Sequence, residues 1–175
     1  MNAIYILYFL LSPIIFLCLM VSALFNKKIR ERLFTGKMIN AITKNSNKPI
    51  IFHAASAGEF EQIKPFLRER NSSNFIIQTF FSPTIYNKEK KSSLFDMCCY
   101  HPFDFPWTAY FFFKKLRPSK YIVNRHDIWP HHIFFAKKFD DSDPTNPADP
   151  VIVSATLSVS EGVIFKLSQS VNSVN

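Results

Sequence analysis

The chain opens on an apolar run that no charge interrupts. From Met1 to Asn26 there is no Asp, Glu, Lys, Arg or His. Residues 3–25 give 23 positions, enough for one helix across a hydrocarbon core of about 30 Å. Ser12 and Pro13 are the only features that would disturb it, and membrane helices tolerate such breaks. A cleaved signal peptide carries its positive charge before a shorter apolar region. Here the positives follow the run, at Lys27, Lys28, Arg30, Arg32 and Lys37. That order predicts an uncleaved single-pass anchor over 1–26, N-terminus out and body in the cytoplasm.

Beyond residue 48 the pattern changes to short apolar runs separated by amphipathic stretches. Pro49–Ala55 reads as a buried strand, and Phe75–Phe81, Met97–Tyr100, Lys120–Asn124 and Val151–Ala155 as further strands. Between them, Gly58–Arg70 places Phe60, Ile63, Phe66 and Leu67 near one helical face. A short helix is expected from Ser82 to Ser92. Two more open on early prolines, Pro106–Leu116 and Trp129–Phe139. Residues 140–150 are rich in Asp, Pro, Ser and Asn and read as a loop. The β-α-β-α order predicts an α/β fold: a Rossmann-like parallel sheet with helices on both faces, preceded by one transmembrane helix. The expected division is an anchor over 1–26, a basic juxtamembrane segment over 27–48, the α/β domain over 49–158, and an irregular tail over 159–175.

Charge sharpens the membrane reading. Residues 27–48 hold seven Lys/Arg and one acid, whereas 49–175 hold fourteen and twelve. Most of the net +8 therefore sits beside the apolar run, where anionic headgroups attract it by about 1 kcal/mol per basic residue. A nucleic-acid binder spreads positive charge over its folded body; this body is nearly neutral, so no nucleic-acid partner is expected. The 175 residues allow one ordinary domain plus an appendage.

Composition removes several chemistries. Gly36, Gly58 and Gly162 are the only glycines, so neither a dinucleotide fingerprint nor a Walker A loop can be spelled. The nucleophile elbow fails in the same way. Cys18, Cys98 and Cys99 make no disulfide framework, and Cys98 and Cys99 with His131 and His132 have no standard zinc spacing. Asp141-Ser142-Asp143 matches a short acidic pattern of some glycosyltransferases, but such matches are common by chance. The same loop fails as an EF-hand, with Asn146 where Gly is needed and Ile152 where Glu is needed.

Three loops follow strands, at the edge where parallel sheets hold their ligands. In the first, His53-Ala-Ala-Ser-Ala-Gly-Glu59, small residues such as Ser56 and Gly58 would let a substrate approach the backbone. Glu59 would stand in the first helical turn, where a carboxylate can serve as general base to a sugar hydroxyl. Ser56 and Glu59 also have the spacing of a capping box, the commoner use of that pair. His53 on a strand reads more simply as a satisfied core histidine. In the second loop, Arg125, His126 and Asp127 suit a phosphate or sugar, and equally a helix entry capped by Asp127. The third, His101-Pro-Phe-Asp-Phe-Pro106, is stiffened by two prolines; Asp104 is expected to cap the next helix.

Together these segments resemble the 3-deoxy-D-manno-octulosonic acid (Kdo) transferases. The similarity runs through the anchor, Lys27–Leu33, Ile51–Glu59, Lys64-Pro65, Thr79–Thr84, Pro102–Asp104, Leu116–Pro118, Ile128–Pro130 and Ser154–Ser158. It covers roughly residues 27–158 in order. The resemblance implies the N-terminal half of a GT-B fold, inverting transfer of Kdo from CMP-Kdo to a lipid A precursor, and no cofactor or required metal. It implies Glu59 as catalytic base and a place at the cytoplasmic face of the inner membrane, against its anionic lipids. It also implies a C-terminal nucleotide-sugar domain, absent from this sequence; the chain is expected to be truncated or to work with a separately encoded half. Two further readings stand beside it: a non-catalytic membrane-anchored acceptor-binding module, and an inactive fragment. Where the family has an acidic run before Leu-Trp-Pro, this chain has Arg125-His126-Asp127.

Overall fold

The computed structural model describes residues 3–34, 48–69, 74–124, 129–139 and 152–155. Among the described residues eleven elements follow one another, alternating strand and helix from β1 onwards as expected: α1 (Ala3–Phe25), α2 (Lys27–Phe34), β1 (Ile50–Ala54), α3 (Ala57–Arg68), β2 (Ile76–Phe80), α4 (Pro83–Glu89), β3 (Met97–Tyr100), α5 (Pro106–Leu116), β4 (Lys120–Asn124), α6 (Pro130–Lys138) and β5 (Ile152–Ala155).

All strand pairs are parallel and the order is β3-β2-β1-β4-β5. The order reverses direction beside β1, so the switch point lies between β1 and β4, as in doubly wound sheets. Because side chains alternate along a strand, β1 sends Phe52 and Ala54 to one layer and Ile51 to the other. The first layer is filled by α3 and α4, through Phe60, Ile63, Leu67, Ile85 and Tyr86. The second is filled by α5 and α6, through Phe112, Phe113, Leu116 and Ala136. Helices therefore cover both faces, which is why the strands read as near-continuous apolar runs. α5 ends where Arg117 takes a left-handed conformation (φ 39°) and donates its N–H to Phe113 O at 2.9 Å; Pro118 prevents continuation.

α1 is long and apolar enough to cross a membrane. Pro13 has no N–H for the carbonyl of Phe9, and the Ser12 hydroxyl donates to that oxygen instead, at 2.6 Å. α1 also touches the domain. The Tyr8 hydroxyl donates to the Asp104 carbonyl at 3.0 Å, and Phe16 packs edge-on against Phe105 and Trp107. Asn26 ends α1 and caps α2, accepting from the N–H of Lys28 at 3.0 Å.

Within the segment expected to be a basic collar, α2 is a docked helix. The Glu31 carboxylate accepts from the Tyr100 hydroxyl at 2.6 Å and from the Asn87 amide at 3.0 Å. These two bonds hold the Glu31 carboxyl below its ordinary range. Residues 35–47 and the tail 159–175 lie outside the described residues.

Candidate active site at the carboxyl edge of the sheet

The loop after β1 forms as a cap. Ser56 has extended backbone, and its hydroxyl accepts from the Glu59 N–H at 3.3 Å. The Glu59 carboxylate turns back and accepts from the Ala55 N–H at 2.6 Å. This is a capping box displaced by one residue, since the carboxylate reaches the residue before the cap. The functional reading of Glu59 is compatible with it, because a carboxylate has further lone pairs to offer. Ser56, Ala57 and Gly58 are exposed and Glu59 is half-buried. A Cβ added at Gly58 would meet nothing within 4 Å, so the space over the first turn of α3 is open. Arg125 and Asp127 lie outside the described residues.

A second set of groups gathers beneath the same edge, on the α5–α6 side of the sheet. His53, His101, His131 and His132 are all fully buried. The rings of His53 and His101 are 3.9 Å apart, and those of His101 and His132 4.3 Å apart. Their protons follow from their partners. Thr79 gives its hydroxyl hydrogen to the Phe52 carbonyl at 3.2 Å, so the His53 Nδ1–H donates to the Thr79 oxygen at 3.0 Å. His101 Nδ1 faces the Pro102 carbonyl at 3.2 Å, so Nδ1 carries the hydrogen and Nε2 accepts from the Tyr121 hydroxyl at 2.6 Å. His131 Nδ1 donates to the Asp104 carbonyl at 3.0 Å, and His132 Nδ1 to the Asp104 carboxylate at 2.6 Å.

Asp104 does not cap α5, the next helix, as its sequence position suggests. The N–H of Phe105 is instead satisfied by the Thr108 hydroxyl, at 3.2 Å. Asp104 caps α6, taking the backbone N–H of His132 at 3.0 Å and that of His131 at 3.4 Å. A carboxylate at a helix N-terminus meets the positive end of the dipole. Burial by itself would raise the Asp104 carboxyl, but the hydrogen bonds from His131 and His132 outweigh it and hold it well below the usual range. Burial pushes His53 down to about 3, and the neighbouring His132 and Arg32 add to this. His101 is driven well below its ordinary value by burial and by His53 and His132. His132 is also lowered by burial, against the pull of Asp104. Among the described residues, no group of three or more His, Cys, Asp and Glu is placed to hold a metal.

Aromatic residues cover the edge. Phe81 stands after β2 and Trp129 before α6, with ring centres 5.4 Å apart and planes 18° apart. The Arg32 guanidinium of α2 lies 3.4 Å from the Phe81 ring centre and 3.8 Å from that of Phe103. Its Nη2 donates to the His101 carbonyl at 3.3 Å. Burial lowers Arg32 to about 10. Neither Arg32 nor the buried histidine set stands out in the sequence. The available signals are the aromatic residues placed just after β2 and β3, and the paired histidines opening α6.

Known proteins match this same stretch of chain. The family described as 3-deoxy-D-manno-octulosonic-acid transferase (kdotransferase) matches residues 27–142, which include the capped loop, Arg32 and Asp104. The 3-deoxy-D-manno-octulosonic acid transferase of Aquifex aeolicus (strain VF5) is 35% identical over 97 residues. That match covers 54% of this chain and 27% of the Aquifex protein, so the chain spans well under half of its relative's length. A match over most of the α/β domain, on a parallel sheet with its loops at the carboxyl edge, places the chain in the Kdo transferase family, through the family's N-terminal domain.

Proposed function

We propose that the chain supplies the acceptor side of a glycosyltransferase that moves Kdo from CMP-Kdo to a lipid A precursor in lipopolysaccharide synthesis. The observation that carries this reading is Glu59. It stands half-buried beside the open space over Gly58, at the switch edge where doubly wound sheets take their ligands. Glu59 accepts the proton of the acceptor hydroxyl while that oxygen attacks the anomeric carbon of Kdo. The bond from that carbon to the CMP phosphate breaks, CMP leaves with the electron pair, and the configuration inverts. Ser56 and Gly58 leave room for the acceptor at the backbone, and Arg125 and Asp127 contribute to binding at the loop after β4. α1 and the basic residues behind it hold the domain at the cytoplasmic face of the inner membrane, beside anionic lipid and the lipid-borne acceptor. The CMP-sugar is bound largely by a C-terminal nucleotide-sugar domain.

The test is CMP release from CMP-Kdo by the detergent-solubilised chain with a lipid A precursor, alone and with a CMP-sugar-binding half. Release that disappears in Glu59→Gln supports the reading, and undiminished release in that variant overturns it. A second reading is an acceptor-binding module without catalysis. The engagement of Glu59 as a cap, at 2.6 Å from the Ala55 nitrogen, favours it. Retained precursor binding with no CMP release in either mixture is its signature.

A further inference from the structure

The contacts of α1 conflict with a helix that stands upright in a bilayer. From Tyr8 to Phe25 the helix rises about 26 Å. If Phe25 stood at the headgroups, Tyr8 would lie near the far side of a core about 30 Å thick. Yet Tyr8 bonds to Asp104 and its ring stacks on His131 at 5.0 Å, while Phe16 packs on Phe105 and Trp107. All of these belong to the domain, at the β3–α5 loop, α5 and the start of α6. An upright α1 would carry those segments deep into lipid.

The two faces of α1 are unlike. Tyr8, Ser12, Phe16 and Ala23 fall within one stripe turned to the protein, with Ser12 and Ala23 buried. Leu7, Leu10, Ile14, Leu17, Val21 and Leu24 recur every three or four residues, fall on the opposite face and are exposed. Phe111 of α5, 64% exposed, is one turn beyond Trp107, and Phe134 of α6, 47% exposed, is one turn beyond His131. They add exposed apolar residues on the two helices that α1 contacts. Such an expanse is rare on a soluble monomer and marks a contact surface. An isolated helix lying at an interface needs a polar face towards water; on α1 the domain meets Tyr8 and Phe16 on the face that would otherwise turn that way. Lys27, Lys28 and Arg30 follow directly, with no acid before Glu31, so the charge beside the surface suits anionic headgroups.

We propose that α1 lies in the plane of an anionic bilayer, its Leu7–Leu24 stripe in the acyl boundary and its Tyr8–Ala23 stripe sealed on the domain, instead of crossing with its N-terminus outside. The carboxyl edge of the sheet then lies along the membrane surface, and both ends of α1 are on one side. The proposal does not depend on the reaction assigned above.

The test is sided labelling of the full chain in phosphatidylglycerol–phosphatidylethanolamine vesicles. Cys18 is replaced by Ser; the remaining Cys98 and Cys99 are buried. Asn2→Cys and Lys28→Cys are then treated separately with a membrane-impermeant maleimide, before and after detergent. The in-plane arrangement labels both from the same side, to the same extent, with no gain on adding detergent. Labelling of Lys28→Cys with Asn2→Cys protected until detergent is added means that α1 crosses, and overturns the proposal. A chain that stays off the vesicles and sediments as a dimer also overturns it, because a second copy then covers the apolar face.

Discussion

Asp104 and His132, 28 residues apart in sequence, share a buried hydrogen bond of 2.6 Å between Oδ1 and Nδ1. The same carboxylate holds the first turn of α6, and the Asp104 carbonyl receives both Tyr8 and His131. One residue thus joins α1, the β3–α5 loop and α6. Removing it leaves buried donors without acceptors, a loss of about 3 kcal/mol or more. Asp104→Ala is expected to lower the unfolding free energy of the detergent-solubilised chain by that amount in urea, followed by tryptophan fluorescence. Asp104→Asn, which keeps one carbonyl oxygen, is expected to lose less. A change under about 1 kcal/mol in the alanine variant would contradict the role of the carboxylate in holding α6.

The buried histidines make the domain sensitive to acid. His53 and His101 resist protonation in the fold, whereas in the unfolded chain they take a proton near pH 6.5. Below that pH the unfolded state binds more protons, so stability falls as pH falls. The slope is roughly 1 kcal/mol per pH unit for each of the two. Asp104 adds a further loss below about pH 4, where the unfolded carboxyl is protonated and the folded one is not. Urea midpoints measured from pH 7.5 to pH 5 are expected to decline steadily, and His53→Gln to flatten the decline. A midpoint independent of pH over that range would show that these rings do not stay neutral.

Arg32 is held by shape as well as charge, between the rings of Phe81 and Phe103. A lysine keeps the charge but cannot stack as a plane. Arg32→Lys is therefore expected to cost about 1 kcal/mol, and to expose α2 to limited proteolysis after Lys27 and Lys28. Equal protease resistance in the variant would mean that Glu31 alone docks the helix.

Glu59 separates two roles by chemistry. Glu59→Gln retains an oxygen for the Ala55 N–H, so unfolding is expected to shift by less than about 1 kcal/mol. On the proposed role as general base, its loss is expected to reduce turnover of the assembled transferase about 100-fold or more. Ser56→Ala is expected to show the reverse: about 1 kcal/mol of stability lost, from the missing cap, with turnover largely kept. Parallel losses in both variants would mark the pair as structural only.

The alternation of strands and helices was legible because each run is short, apolar and bounded by turn residues, and because Pro83, Pro106 and Pro130 open their helices. The Ser56–Glu59 cap was legible because both partners lie within one turn. The Asp104 cap was not, since its partners at 131 and 132 follow an intervening helix and strand. Nor was the seating of α1: a helix apolar on every side carries no periodic contrast to tell which stripe meets protein. Arg32 reads as one more charge in a basic run until the fold brings Phe81 and Phe103 around it.

The bond from Tyr8 to Asp104 spans 96 residues, and this sets an order of events during synthesis. At roughly 5–20 residues per second, α1 is complete roughly 4–16 s before Asp104 is joined to the chain. His131 comes later still, and β1 waits for β4 to flank it. Through that interval the nascent chain carries an apolar helix whose eventual protein partner does not yet exist. Under the proposed in-plane seating, a lipid surface covers that helix first, and the domain closes onto it afterwards.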